Sequence, residues 1–156
     1  MDARTPVDGK RSRLVQAAVL WYGLYQLVHV FVNVRGLWLL TQEQAIDFPA
    51  PPPPGGWSDQ VLHFFTGMAA VDLGNALLAL LFVYGYVRHR GWHRWLGTVT
   101  LTVSVYAALV FDYATWASGA WTSTNLPGYL LINVAFLPIV ALFLWWARQG
   151  LRGADW

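Results

Sequence analysis

Apolar residues run along this chain in four long blocks: Leu14 to Leu40, about Asp59 to Tyr86, about Trp95 to Trp116, and about Leu126 to Trp146. Each block is long enough to cross a hydrocarbon layer as a helix, which needs roughly 20 apolar residues. The first is much longer than the apolar region of a secretory signal, and no small-residue cleavage site closes it, so it reads as a retained helix. Local signals mark the ends. Ser58 is placed to cap the second helix with Asp59 at the positive end of its dipole, and Trp57 is placed to staple onto Leu62. Pro127 suits the first turn of the fourth helix, where no hydrogen bond is lost, whereas Pro138 lies inside that helix and should bend it. The pattern predicts an all-α integral membrane four-helix bundle spanning residues 14–147, with a basic tail at 1–13 and a short tail at 148–156.

Charge placement gives the bundle a direction. Of ten Lys and Arg residues, nine flank one side: Arg4, Lys10, Arg11, Arg13, Arg88, Arg90, Arg94, Arg148 and Arg152. Only Arg35 falls toward the other side, where the loops carry Glu43, Asp47 and Asp59. The positive-inside rule then places both termini and the 87–94 loop in the cytoplasm, in a multi-pass protein of the inner (plasma) membrane. Tryptophans form two belts, Trp92, Trp95, Trp145 and Trp146 on the basic side and Trp38, Trp57, Trp116 and Trp121 on the other. The outer loop contains Pro49 to Gly56, a stretch expected to act as a stiff polyproline spacer with a flexible end.

Composition narrows the function classes. The chain has 156 residues, of which 56% are hydrophobic and 12% charged, and its mean hydropathy is +0.41. These values exclude both an ordinary soluble domain and a disordered chain. A net charge of +2 is too small for an electrostatic nucleic-acid binder. With no cysteine, thiolate chemistry and iron–sulfur ligation are absent. No Walker, dinucleotide, HExxH, EF-hand or CxxC pattern occurs. Gly67, Ala70 and Gly74 are small residues suited to a close helix crossing.

Polar residues inside the spans carry the remaining signal. His29 lies 16 residues beyond Arg13, Asp72 lies 16 before Arg88, Asp112 lies 18 beyond Arg94, and Asn133 lies 15 before Arg148. At a rise of about 1.5 Å per residue, all four fall about 22–27 Å from their reference arginines, in one layer. Helical phase adds neighbours. Tyr22, Tyr25, Gln26, His29 and Asn33 form one stripe, Asp72 shares a face with Asn75 and Met68, Asp112 with Thr115 and Trp116, and Asn133 with Tyr129.

An ionised carboxylate facing lipid is costly, so Asp72 and Asp112 are expected to face the bundle interior. His29 is the cation available at their depth; Arg35 and His63 lie nearer the outer surface. This arrangement predicts a pocket with Asp72, Asp112 and His29 as acid/base groups. Tyr25, Asn33, Asn75, Trp116, Tyr129 and Asn133 are the expected ligand-binding residues. The occupant expected is an apolar small molecule, bound or also isomerised or cyclised by proton transfer, with aromatic walls stabilising a developing cation. The alternative is a non-catalytic subunit of a homo-oligomer or larger membrane complex, in which the polar layer only sets helix register. No metal or cofactor is expected: His29, Asp72 and Asp112 lack a supporting metal-site spacing, and His29 and His63 differ too much in depth to clasp one haem.

Overall fold

The computed structural model describes residues 13–42 and 51–151. The expected tails, including Arg4, Lys10, Arg11 and Arg152, and the loop residues Glu43, Asp47 and Pro49 lie outside the described residues. Four helices follow one another: α1 (Arg13–Thr41), α2 (Asp59–Val87), α3 (His93–Ala117) and α4 (Leu126–Leu151). All four are long and apolar enough to cross a membrane, so the chain is an all-helical bundle suited to a lipid bilayer. The fourth helix continues past Trp146, where the apolar block ends.

The helices form a square. α1 packs against α2 and α4, α3 packs against α2 and α4, and the diagonal pairs meet only through long side chains. Short connections, 88–92 and 118–125, turn the chain back between α2 and α3 and between α3 and α4. Ser58 caps α2, its hydroxyl accepting from the Val61 amide at 3.4 Å. Trp57, expected against Leu62, meets the Phe65 ring edge-on at a centroid distance of 5.1 Å. At the far end of α2 the chain reverses through His89, which adopts φ of 54°, while the Arg90 amide reaches back to the Gly85 carbonyl at 2.8 Å. This is the left-handed cap that closes a helix by satisfying one of its last carbonyls. Gly119, at φ of 75°, ends α3 in the same way, with the Ala120 amide donating to Thr115 at 3.0 Å.

Each end of the bundle has its own aromatic plug. At the α2–α3 end, Phe82, Tyr86, Leu96, Leu142 and Trp146 form a buried core with Val19 and Tyr22 of α1. Phe82 meets Trp146 edge-on at 5.2 Å. Trp146 is therefore core rather than belt, whereas Trp95 stays 70% exposed at that end. His93, placed by sequence in the basic loop, is also buried, between the Tyr86 and Trp146 rings. At the opposite end Trp121 stacks on Tyr129 at 5.1 Å. The proline segment is strapped over this plug. The Tyr129 hydroxyl donates to the Pro51 carbonyl at 3.0 Å, and the Asn125 amide donates to that of Pro52 at 2.9 Å. α4 runs through Pro138 without interruption. Next to the carbonyl that this proline cannot serve, the Trp21 indole of α1 donates to the Ala135 carbonyl at 2.9 Å.

Candidate functional site

Between the two plugs the bundle is hollow. A cavity of about 320 Å³ is lined by all four helices. Its wall brings together Tyr25, His29 and Asn33 of α1, Asp72 and Asn75 of α2, Asp112 of α3 and Asn133 of α4. The layer of polar residues expected from helical rise is thus one side-chain lining. The periodicity explains why. Residues three and four apart share a helix face, and the same stripe that supplies Val19 and Tyr22 to the aromatic plug continues upward as Tyr25, Gln26, His29 and Asn33.

The cavity floor is a hydrogen-bond hub centred on Ser104. Its Oγ contacts Tyr22 Oη at 2.8 Å, Asn75 Nδ2 at 2.9 Å and Gln26 Nε2 at 3.2 Å. A hydroxyl has one hydrogen and two lone pairs. With both amides donating to Ser104, its own hydrogen goes to Tyr22. Asn75 Nδ2 also donates to the Thr100 carbonyl at 3.4 Å, which can only accept, so the amide is held with Oδ1 turned away from that bond. Three amide atoms of lining residues, Gln26 Oε1, Asn33 Nδ2 and Asn75 Oδ1, are buried behind the wall without a partner. These side chains are 1%, 6% and 7% exposed. Buried polar atoms are normally bonded, so three unsatisfied ones beside one cavity leave this wall under-bonded by the protein itself.

The acidic groups differ in how they are held. Asn133 Nδ2 donates to Asp112 Oδ1 at 3.1 Å and to the Tyr129 carbonyl at 3.1 Å, a clasp between α3 and α4. Both partners only accept, which fixes the orientation of the amide. Asp72 forms no hydrogen bond or ion pair with a described residue and faces the cavity unclasped. Tyr25 lies within electrostatic reach of both carboxylates. Its ring meets those of His29 and Phe136 edge-on, at 5.3 and 5.5 Å. No lysine or arginine lines the cavity among the described residues, and none of their His, Asp and Glu side chains form a cluster suited to a metal.

Two expected ligand-binding residues are not on this wall. Trp116 is 63% exposed and packs on Tyr113 outside the bundle, because Thr115, one position earlier, takes the inward place on that turn. Tyr129 is buried in the plug above the cavity. His63 is exposed. Sequence reasoning missed Ser104 and Thr66 as lining residues and gave Gln26 no role beyond its place in the stripe. The signal for Ser104 was available: Thr100, Ser104, Ala108 and Asp112 repeat every four residues, a polar and small face on an otherwise bulky helix. No protein-family model, curated protein or solved structure matches this chain.

Proposed function

We propose that this protein binds a small hydrophobic molecule in the cavity between its four helices. The observation that carries this reading is the coincidence of an apolar hollow with an unclasped Asp72 on its wall. Small-molecule sites are mostly apolar, with a few converging polar groups, and begin near 300 Å³. The mouth favours entry from the membrane, since lining residues Val28 and Leu131 are 56% and 71% exposed. Proton transfer extends the reading. Asp72 on one helix and His29 on another can give and take protons on two positions of one bound molecule, as an isomerisation or cyclisation requires. We further place the arginine-bearing end and both termini in the cytoplasm, in the inner (plasma) membrane, with α4 bent at Pro138. Cysteines introduced at His89 and Thr122 should label from opposite sides of the membrane; labelling from one side overturns that orientation.

Native mass spectrometry of the purified protein tests the binding reading. Wild type should retain an apolar adduct, and Ala108→Phe, which grows into the cavity, should lose it while still eluting as a folded bundle. Equal adducts in both proteins would place the lipophile on the outer surface and sink the proposal.

One observation favours a second reading, a non-catalytic subunit. Gly67, Ala70 and Gly74 all face outward on α2 rather than serving a crossing within the bundle, leaving a smooth ridge on which another membrane helix can pack. Cysteine cross-linking at Gly67 and Gly74 distinguishes the readings: a discrete cross-linked species supports assembly, and its absence removes this reading.

A further inference from the structure

Resting on the pocket reading above, we infer that the occupant is a protonated amine carried on an apolar body, with Asp72 as its counter-ion. The cavity wall is unbalanced in hydrogen-bonding character. The Asp72 carboxylate has no bonded partner among the described residues, and Asp112 retains a second oxygen beyond its bond from Asn133. Against these oxygens stand the His29 ring and the Tyr25 hydroxyl. No lysine or arginine contributes a positive charge to the wall among the described residues.

An ammonium group meets each of these demands. It carries up to three hydrogens and no lone pair, so it donates to a carboxylate without bringing a further acceptor to the wall. It supplies the charge that an aspartate facing a low-dielectric hollow requires. The surrounding rings suit it as well: Tyr25, Phe65, Phe111 and Phe136 line the same cavity, and an aromatic face attracts a desolvated cation. A carboxylate ligand meets like charge and has no donors to offer. An alcohol donates one hydrogen and leaves Asp72 without a counter-charge. A plain hydrocarbon leaves Asp72 without a partner.

The test uses one hydrocarbon body with three heads: aminoadamantane, adamantanol and adamantane carboxylate. Their affinities for the full-length protein in detergent are compared by calorimetry at neutral pH, with sodium chloride held constant. The amine should bind roughly tenfold or more tightly than the alcohol, the margin expected of a hydrogen bond to a charged group, and the carboxylate should bind least. Asp72→Asn should remove the preference for amine over alcohol. Wild type alone suffices should that variant not fold, because the ranking of the three heads is itself decisive. Equal binding of all three, abolished together by Ala108→Phe, overturns the amine assignment and leaves the apolar pocket standing. Tighter binding of alcohol or carboxylate also overturns it, as does displacement of the amine by an equal concentration of sodium ions. Absence of binding by any of the three overturns it too, and the adduct experiment above then decides separately whether the pocket reading survives.

Discussion

Replacing Ser104 with alanine removes one oxygen from the centre of the bundle and leaves three buried groups short of a partner. Tyr22 and Gln26 are 0% and 1% exposed, so neither can turn to solvent without moving its helix. Asn75 keeps part of its bonding, because its amide nitrogen still reaches the Thr100 carbonyl at 3.4 Å. Interhelical hydrogen bonds in membrane proteins contribute about 0.6 kcal/mol on average and about 1.7 at most. Three such contacts give roughly 2–5 kcal/mol. Allowing for the bond that Asn75 retains, Ser104→Ala should cost about 2–3 kcal/mol.

Equilibrium unfolding in mixed micelles, titrated with a denaturing detergent, measures this difference. A double-mutant cycle with Tyr22→Phe then isolates the bond at 2.8 Å. Tyr22→Phe alone should cost less than Ser104→Ala, since it deletes one contact of the three, and the two losses should combine to less than their sum. A loss under about 0.5 kcal/mol for Ser104→Ala would refute the hub, because surface substitutions without a structural role fall in that range. Strict additivity would refute the specific pairing of Tyr22 with Ser104.

Packing at the closed end gives two further outcomes. A Cβ on Gly97 would lie 2.7 Å from Phe82 and 2.8 Å from Trp146, both buried, so Gly97→Ala should cost about 1–3 kcal/mol in the same unfolding assay. Gly85→Ala should cost clearly less although its Cβ would meet the Trp92 ring at 2.5 Å, because Trp92 is 45% exposed and can swing aside; equal losses would contradict this. Pro138→Ala restores a backbone donor inside α4 and should raise the melting temperature by a few degrees while weakening any adduct in the cavity. A lower melting temperature would show that the bundle is built around the proline.

Helices, their number and their lipid-facing character were legible because they depend on long apolar runs, which no tertiary contact has to override. The polar layer was legible for a related reason: helical rise is nearly constant, so sequence distance from a common set of arginines measures depth. Azimuth was harder. Near Asp112 two adjacent residues, Thr115 and Trp116, both satisfy helical spacing, and the larger one was placed on the cavity. The structure turns Thr115 inward, where its hydroxyl bonds to the Phe111 carbonyl at 2.9 Å and accepts from the Trp121 indole at 2.9 Å. A tryptophan has no room on that turn. Loop contacts were illegible in principle. That Tyr129 and Asn125 would bond the proline segment, at sequence separations of 78 and 73, depends on the strap crossing the bundle end.

The contrast between the two regions of the bundle supports the proposal of an occupant for the hollow. At the α2–α3 end the helices show what close packing looks like in this sequence, with Phe82, Tyr86 and Trp146 filling the space that Gly97 leaves open. One turn beyond Tyr22 the same helices present Ala69, Ala107 and Ala108 around the cavity, with amides and carboxylates between them. An empty apolar void of 320 Å³ would cost roughly 8 kcal/mol at about 24 cal/mol per Å³, an upper figure because this one opens past Val28 and Leu131. Each unsatisfied amide atom adds about 1–3 kcal/mol. The total rivals the whole stability of a typical domain, about 5–15 kcal/mol. Leucines at these alanine positions, as at Leu101 and Leu142, would fill the hollow from within. Water relieves the Asp72 carboxylate but gains nothing against the phenylalanine walls. A molecule with an apolar body and a donor-rich head relieves both, and the free energy that it recovers is the affinity the calorimetric series would read.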